Sequence, residues 1–97
     1  MLFMVIEHFR NGDPVPVYQR FRDKGRMIPE GRDVTFVGSW VDPVGARCFQ
    51  LMECADLLTL QEWILIWRDI VAFEVVPVVP GKDFAEMIAP RLKPADS

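Results

Sequence analysis

The chain has 97 residues, of which 51% are hydrophobic and 26% charged, with a formal net charge of −3. That length supports one hydrophobic core, and that composition lies far from disorder. The acidic balance speaks against a nucleic-acid partner, and the longest apolar run, Trp63 to Trp67, falls well short of the ~20 residues needed to cross a membrane.

Leu2 to Phe9 reads as a strand that is apolar on both faces, with Leu2, Met4, Ile6 and His8 on one side and Phe3, Val5, Glu7 and Phe9 on the other. The apolar opening MLFMVI has no basic lead and meets Glu7 and His8 too early for a signal peptide, so a cytoplasmic protein is expected. Asp13-Pro14 is a helix-start signal, and the helix it opens is predicted to run to about Lys24, where Gly25 is placed to end it in a left-handed cap. Arg20, Arg22, Lys24, Arg26 and Arg32 form a local basic cluster, read as a solvated face. A loop around Met27–Gly31 leads to a second strand, Asp33 to Val41, with Val34, Phe36, Gly38 and Trp40 on a common side. Asp42-Pro43-Val44-Gly45 is a tight turn, making strands two and three a hairpin.

Arg47 to Glu53 is the third strand, with Cys48, Gln50 and Met52 alternating against Phe49, Leu51 and Glu53. Cys48 and Cys54 lie six residues apart, ~20 Å along a strand, too far for a disulfide. A second helix begins with Asp56 as its cap and carries an apolar stripe of Leu60, Trp63, Ile64 and Trp67, read as packing against the sheet. Leu58 and Leu65 share its polar side. Phe73 to Val79 is the fourth strand, and Pro77 within it points to a sheet edge. A short helix from Pro80 to Ala89 carries Phe84, Met87 and Ile88 on one face and is stopped by Pro90. A single domain over 1–90 with a frayed tail over 91–97 is expected.

The order β-α-β-β-α-β plus a terminal helix predicts an α+β, ferredoxin-like fold: an antiparallel sheet in the order 4-1-3-2 with both main helices on one face. The opposite face is expected to carry Met4, Ile6, Phe36, Trp40 and Met52, too apolar to stay wet. A second copy is the simplest cover, giving a homodimer with two sheets packed face to face as a barrel-like sandwich.

The segments SWVDP (Ser39–Pro43), RCFQLMEC (Arg47–Cys54), EWILIWRD (Glu62–Asp69) and FEVVPV (Phe73–Val78) resemble an uncharacterised bacterial domain-of-unknown-function family whose members look like the dimeric α+β barrel superfamily. The resemblance covers nearly the whole chain and implies a fold and dimerisation. It implies no reaction, because that superfamily spans cofactor-free monooxygenases, haem-degrading enzymes, isomerases, stress-response proteins and ligand-sensing modules.

In the expected sheet, His8, Trp40, Cys48, Gln50 and Glu74 converge on one end of the cavity between the two sheets, with Gly38 leaving room beside the Trp40 indole and Phe36 and Met4 completing the apolar wall. Such a lining suits a small apolar or aromatic ligand. Each residue also has an ordinary use: Cys48 as a small buried hydrophobe, His8 as an exposed strand-end side chain. A Cys48–His8 nucleophilic pair has no third orienting group. Glu7 and Glu74 near Arg47 form either an acid–base couple or an ion pair with that arginine. One histidine and two separated cysteines argue against a metal site, and no phosphate loop, nucleophile elbow or dinucleotide fingerprint is present, so no cofactor is expected. Within the resemblance, haem is the exception, with His8 as the available histidine ligand. The sequence specifies no biochemical function; the expectation is a homodimer whose cavity binds a small apolar or aromatic molecule or serves only assembly. The alternatives are a cofactor-independent monooxygenase or isomerase with His8 as base, and a protein-interaction module using Leu58 and Leu65.

Overall fold

The computed structural model describes residues 1–95. Its elements follow in the order β1 (Leu2–Phe9), α1 (Val15–Lys24), β2 (Val34–Val41), β3 (Arg47–Cys54), α2 (Leu57–Trp67), β4 (Val71–Val78) and α3 (Gly81–Ile88), with short 3-10 turns at Arg10–Gly12 and Ala89–Arg91. The strands form one four-stranded antiparallel sheet ordered β2-β3-β1-β4. This α+β arrangement is compatible with a ferredoxin-like fold, and it puts β4, with Pro77, at an edge where a missing N–H leaves no rung unmade. Of the tail expected to fray over 91–97, positions 96 and 97 lie outside the described residues.

Local chemistry accounts for the element ends. Gly25 takes φ 71° and its N–H reaches the Phe21 carbonyl at 2.8 Å, closing α1. Asp56 caps α2, accepting from the Thr59 N–H at 2.9 Å and from the Thr59 hydroxyl at 2.8 Å. In the β2–β3 hairpin the Asp42 carboxylate accepts from the Ala46 N–H at 2.9 Å and from the Arg47 side chain at 3.1 Å, so Arg47 is paired there and not with Glu7 or Glu74.

The two helices cover one sheet face. Leu60, Trp63 and Trp67 of α2 and Val17 of α1 pack on Phe3 and Val5 of β1 and on Met52 and Cys54 of β3. Burial alternates along β1 so that Phe3, Val5, Glu7 and Phe9 point under the helices.

Cross-strand partners share a face, and here the sequence reading of the sites is overturned. Every β1–β3 pair joins an even-numbered residue to an odd-numbered one: Val5 faces Gln50, Glu7 faces Cys48 and His8 faces Arg47. Cys48, Gln50 and Met52 therefore lie under the helices, on the opposite face from Met4, Ile6 and His8. β2 divides as well. A bulge between Phe36 and Gly38 pairs Phe36 with Met52 but Gly38 with Leu51 and Trp40 with Phe49. Phe36 thus joins the helix side, while Gly38 and Trp40 remain on the open side.

The open face carries Met4, Ile6, Phe49, Leu51 and Val76, with Trp40 58% exposed at one margin. Beyond β4, α3 buries none of its residues, and Phe84 and Met87 are exposed. The radius of gyration is 17.0 Å, where a compact chain of this length has about 12.5 Å.

Candidate functional site

A partly open cavity of about 140 Å³ lies between the helices and the sheet. β1 contributes Glu7 and Phe9, β3 contributes Cys48 and Gln50, and β2 contributes Ser39. α1 lays Val17, Tyr18 and Phe21 over it, α2 closes it with Trp63 and Trp67, and Arg26 enters from the loop after α1.

Arg26 is held in place by its backbone. Its carbonyl accepts two indole N–H donors, from Trp63 at 2.8 Å and from Trp67 at 2.9 Å. The flanking turn needs left-handed backbone at Gly25, φ 71°, and at Met27, φ 61°. The guanidinium lies 3.5 Å above the Phe36 ring and 5.1 Å from the centre of the Phe21 ring. Its Nε is buried without a hydrogen-bond partner.

Glu7 is 6% exposed. Burial pushes its carboxyl up to about 7, against the partial opposition of a hydrogen bond from Cys48 and of the Arg26 charge. The Cys48 thiol is pushed up to about 11, first by burial and then by the Glu7 charge and the hydrogen bond it donates to that carboxylate; a hydrogen bond from Ser39 works the other way. Burial also raises the Tyr18 hydroxyl, as do the neighbouring Cys48 and Glu7. Gln50 donates to the Met52 sulfur at 3.4 Å. Ser39, Cys48 and Glu7 thus form a short donor chain ending on a carboxyl that changes charge near neutral pH. Cys48 is a thiol there, a donor and not a nucleophile.

Of the residues expected to share one cavity, Cys48 and Gln50 line this one, and Phe36 stands behind the Arg26 guanidinium. His8, Glu74, Met4, Gly38 and Trp40 do not. His8 and Glu74 pair with each other on the open face, Nε2 to Oε1 at 3.5 Å, so Cys48 and His8 are separated by the sheet, and so are Glu7 and Glu74. The space expected beside the Trp40 indole is real: a Cβ on Gly38 would stand 3.3 Å from the ring. The sequence reading missed Glu7 as a cavity group on its own, and with it Tyr18, Ser39, Arg26 and the two tryptophans. The one available signal for Arg26 was its position after the capping Gly25.

Outside the cavity, Leu58 and Leu65 are exposed on the outer side of α2, beside a shallow groove that includes Arg32, Ile64 and Arg68. Among the described residues no group of three or more His, Cys, Asp or Glu side chains is placed to hold a metal ion, and no helix is long and apolar enough to cross a membrane.

Fold and cavity together define a class: a small α+β protein with a polar-ended aromatic cavity between its helices and an antiparallel sheet. Within that class, a family model described as Domain of unknown function (DUF3303) matches residues 1–92, and the chain belongs to this family. No curated protein and no solved structure matches it.

Proposed function

We propose that this protein binds a small, mainly aromatic molecule in the cavity between the helices and the sheet. The observation that carries the reading is Arg26, whose guanidinium makes no ion pair among the described residues, at a cavity otherwise walled by Phe9, Tyr18, Phe21, Trp63 and Trp67. A cation without a partner at the wall of an aromatic cavity is where a ligand's acceptor would go. A cavity of about 140 Å³ is near the size that accommodates a benzene-sized molecule, ~150 Å³. The test is a screen of monocyclic aromatics by amide chemical-shift mapping. Shifts should gather at Phe9, Val17, Trp63 and Trp67; shifts confined to Met4, Ile6 and Trp40, or none, would refute the reading.

The open sheet face supports a homodimer as the working form. Met4, Ile6, Phe49, Leu51 and Val76 form an apolar surface that a second copy would cover, and α3 offers the exposed Phe84 and Met87 alongside. Sedimentation should give twice the chain mass of 11.2 kDa, reduced to one chain by Ile6→Asp. A monomer at high protein concentration would reject this assembly.

A second reading, proton-transfer catalysis by a cofactor-independent isomerase or monooxygenase, is favoured by the Glu7 carboxyl near 7. Glu7 then takes the role of base that the sequence reading gave to His8. Turnover of any bound compound that survives Glu7→Gln unchanged would exclude it.

A further inference from the structure

The ligand's chemistry follows from the charges around the cavity, and this step rests on the cavity reading above. Among the described residues the Arg26 guanidinium makes no ion pair, whereas Arg20 holds Asp69, Arg32 holds Glu62 and Arg47 holds Asp42. The Arg26 Cζ lies 3.5 Å from the centre of the Phe36 ring, and among the described residues the guanidinium N–H groups make no hydrogen bond, which leaves them for an acceptor. That planar fork matches a carboxylate in two-point contact. Glu7 lines the same cavity but forms no ion pair with Arg26, which leaves an acid and a base unjoined across the space.

We infer that the cavity takes a small monocarboxylic acid of about nine non-hydrogen atoms, its carboxylate on the edge of Arg26 and against a protonated Glu7, so that binding above neutral pH takes up a proton. The size follows from the cavity volume, since ~150 Å³ accommodates a benzene ring and this cavity is open enough for one further polar group.

The alternatives fail on charge. A neutral ligand with no acceptor leaves the Arg26 Nε unpaired. A cationic ligand must sit beside Arg26. A doubly charged phosphate adds more negative charge beside Glu7 than one arginine neutralises. A carboxylate, Arg26 and protonated Glu7 sum to zero, which keeps the cost of burial low while giving Arg26 a charged partner.

The groups facing Glu7 agree with this protonation. β3 presents the Cys48 thiol, α1 the Tyr18 hydroxyl and the loop after α1 the Arg26 cation, while β4 places Phe73 opposite it and α2 adds only indoles. Burial holds the Glu7 proton to about pH 7 in the empty cavity, and a neighbouring carboxylate would hold it further.

The experiment is calorimetry on the whole chain with benzoate and hexanoate, and with their neutral amides benzamide and hexanamide. At least one acid should bind about tenfold or more tightly than its amide at pH 6. Its affinity should fall about tenfold from pH 6 to pH 8, with nearly one proton taken up per ligand at pH 8. Glu7→Gln should abolish both the pH dependence and the uptake, and Arg26→Gln should remove the preference of acid over amide. Equal binding of acid and amide, or proton release on binding, overturns the carboxylate assignment and leaves the cavity reading standing. Failure of all four compounds to bind overturns both.

Discussion

Glu7 and Cys48 face each other across β1 and β3, and the cysteine thiol donates its hydrogen bond to the glutamate carboxylate. Burial keeps both groups neutral; the Glu7 charge and hydrogen bond hold the Cys48 proton further, whereas the thiol's donation to Glu7 partly favours the carboxylate. Ser39 hydrogen-bonds the sulfur from the next strand. This arrangement sets how the protein should respond to pH and to thiol reagents.

Glu7 makes stability fall as pH rises. Its carboxyl sits at about 7 in the folded chain against an ordinary 4.5, so the folded state binds the proton more tightly than the unfolded state. The favourable contribution is complete below pH ~4.5, is lost between there and 7, and levels off above 7. Glu7→Gln is neutral throughout and still accepts from Cys48. It should match the parent at pH 4 and exceed it by up to about 3 kcal/mol at pH 8.5. Urea unfolding at the two pH values measures this, and parallel curves for the two proteins would count against a buried neutral Glu7.

Cys48 should resist alkylation. A thiol moved from 9 to about 11 has roughly 100-fold less thiolate at neutral pH, before burial is counted. Iodoacetamide at pH 7.5 should leave Cys48 unmodified by mass spectrometry until urea unfolds the chain. Rapid labelling of the native protein would mean that the cavity floor opens freely.

The two indole donors to the Arg26 carbonyl should couple. Trp63→Phe or Trp67→Phe leaves that carbonyl one donor and should cost about 1 kcal/mol each. The double variant orphans it and should cost about 1 kcal/mol more than the two single effects together. Thermal or urea unfolding of the four proteins closes the cycle, and strict additivity would show that the carbonyl finds water instead.

The pair His8–Glu74 should matter little to ligand binding. Both side chains are substantially exposed on the open face, where such pairs are worth about 0–1 kcal/mol. His8→Ala should leave the affinity of a cavity ligand within about twofold. A tenfold loss would relocate the site to the open face.

The architecture was readable because its signals are local. β1 falls at Leu2–Phe9 as the residue pattern predicts, Gly25 and Asp56 cap their helices, and Pro77 sits on an edge strand. The site was not, because it depends on which strand faces pair. β3 has polar and apolar side chains on both faces, so Cys48, Gln50 and Met52 carry no mark of which way they point until paired with Glu7, Val5 and Phe3. The bulge after Phe36 then separates that residue from Gly38 and Trp40, and its one mark in VTFVGSWV is the mid-strand glycine, which does not say which side chains change face. Arg26 was hidden for a different reason. By composition it belongs with Arg20 and Arg22, and only the left-handed turn at Gly25 and Met27, tied down by two distant tryptophans, brings it to the cavity.

The three indoles are divided between the two sides of the sheet, Trp63 and Trp67 nearly sealed at the cavity and Trp40 in water on the open face. Buried and solvated indoles emit at different wavelengths, so the native protein carries two separable optical reporters without any label. A molecule entering the cavity would quench the blue component, whereas burial of the open face would shift the red one. Occupancy and assembly can therefore be followed independently in a single emission spectrum.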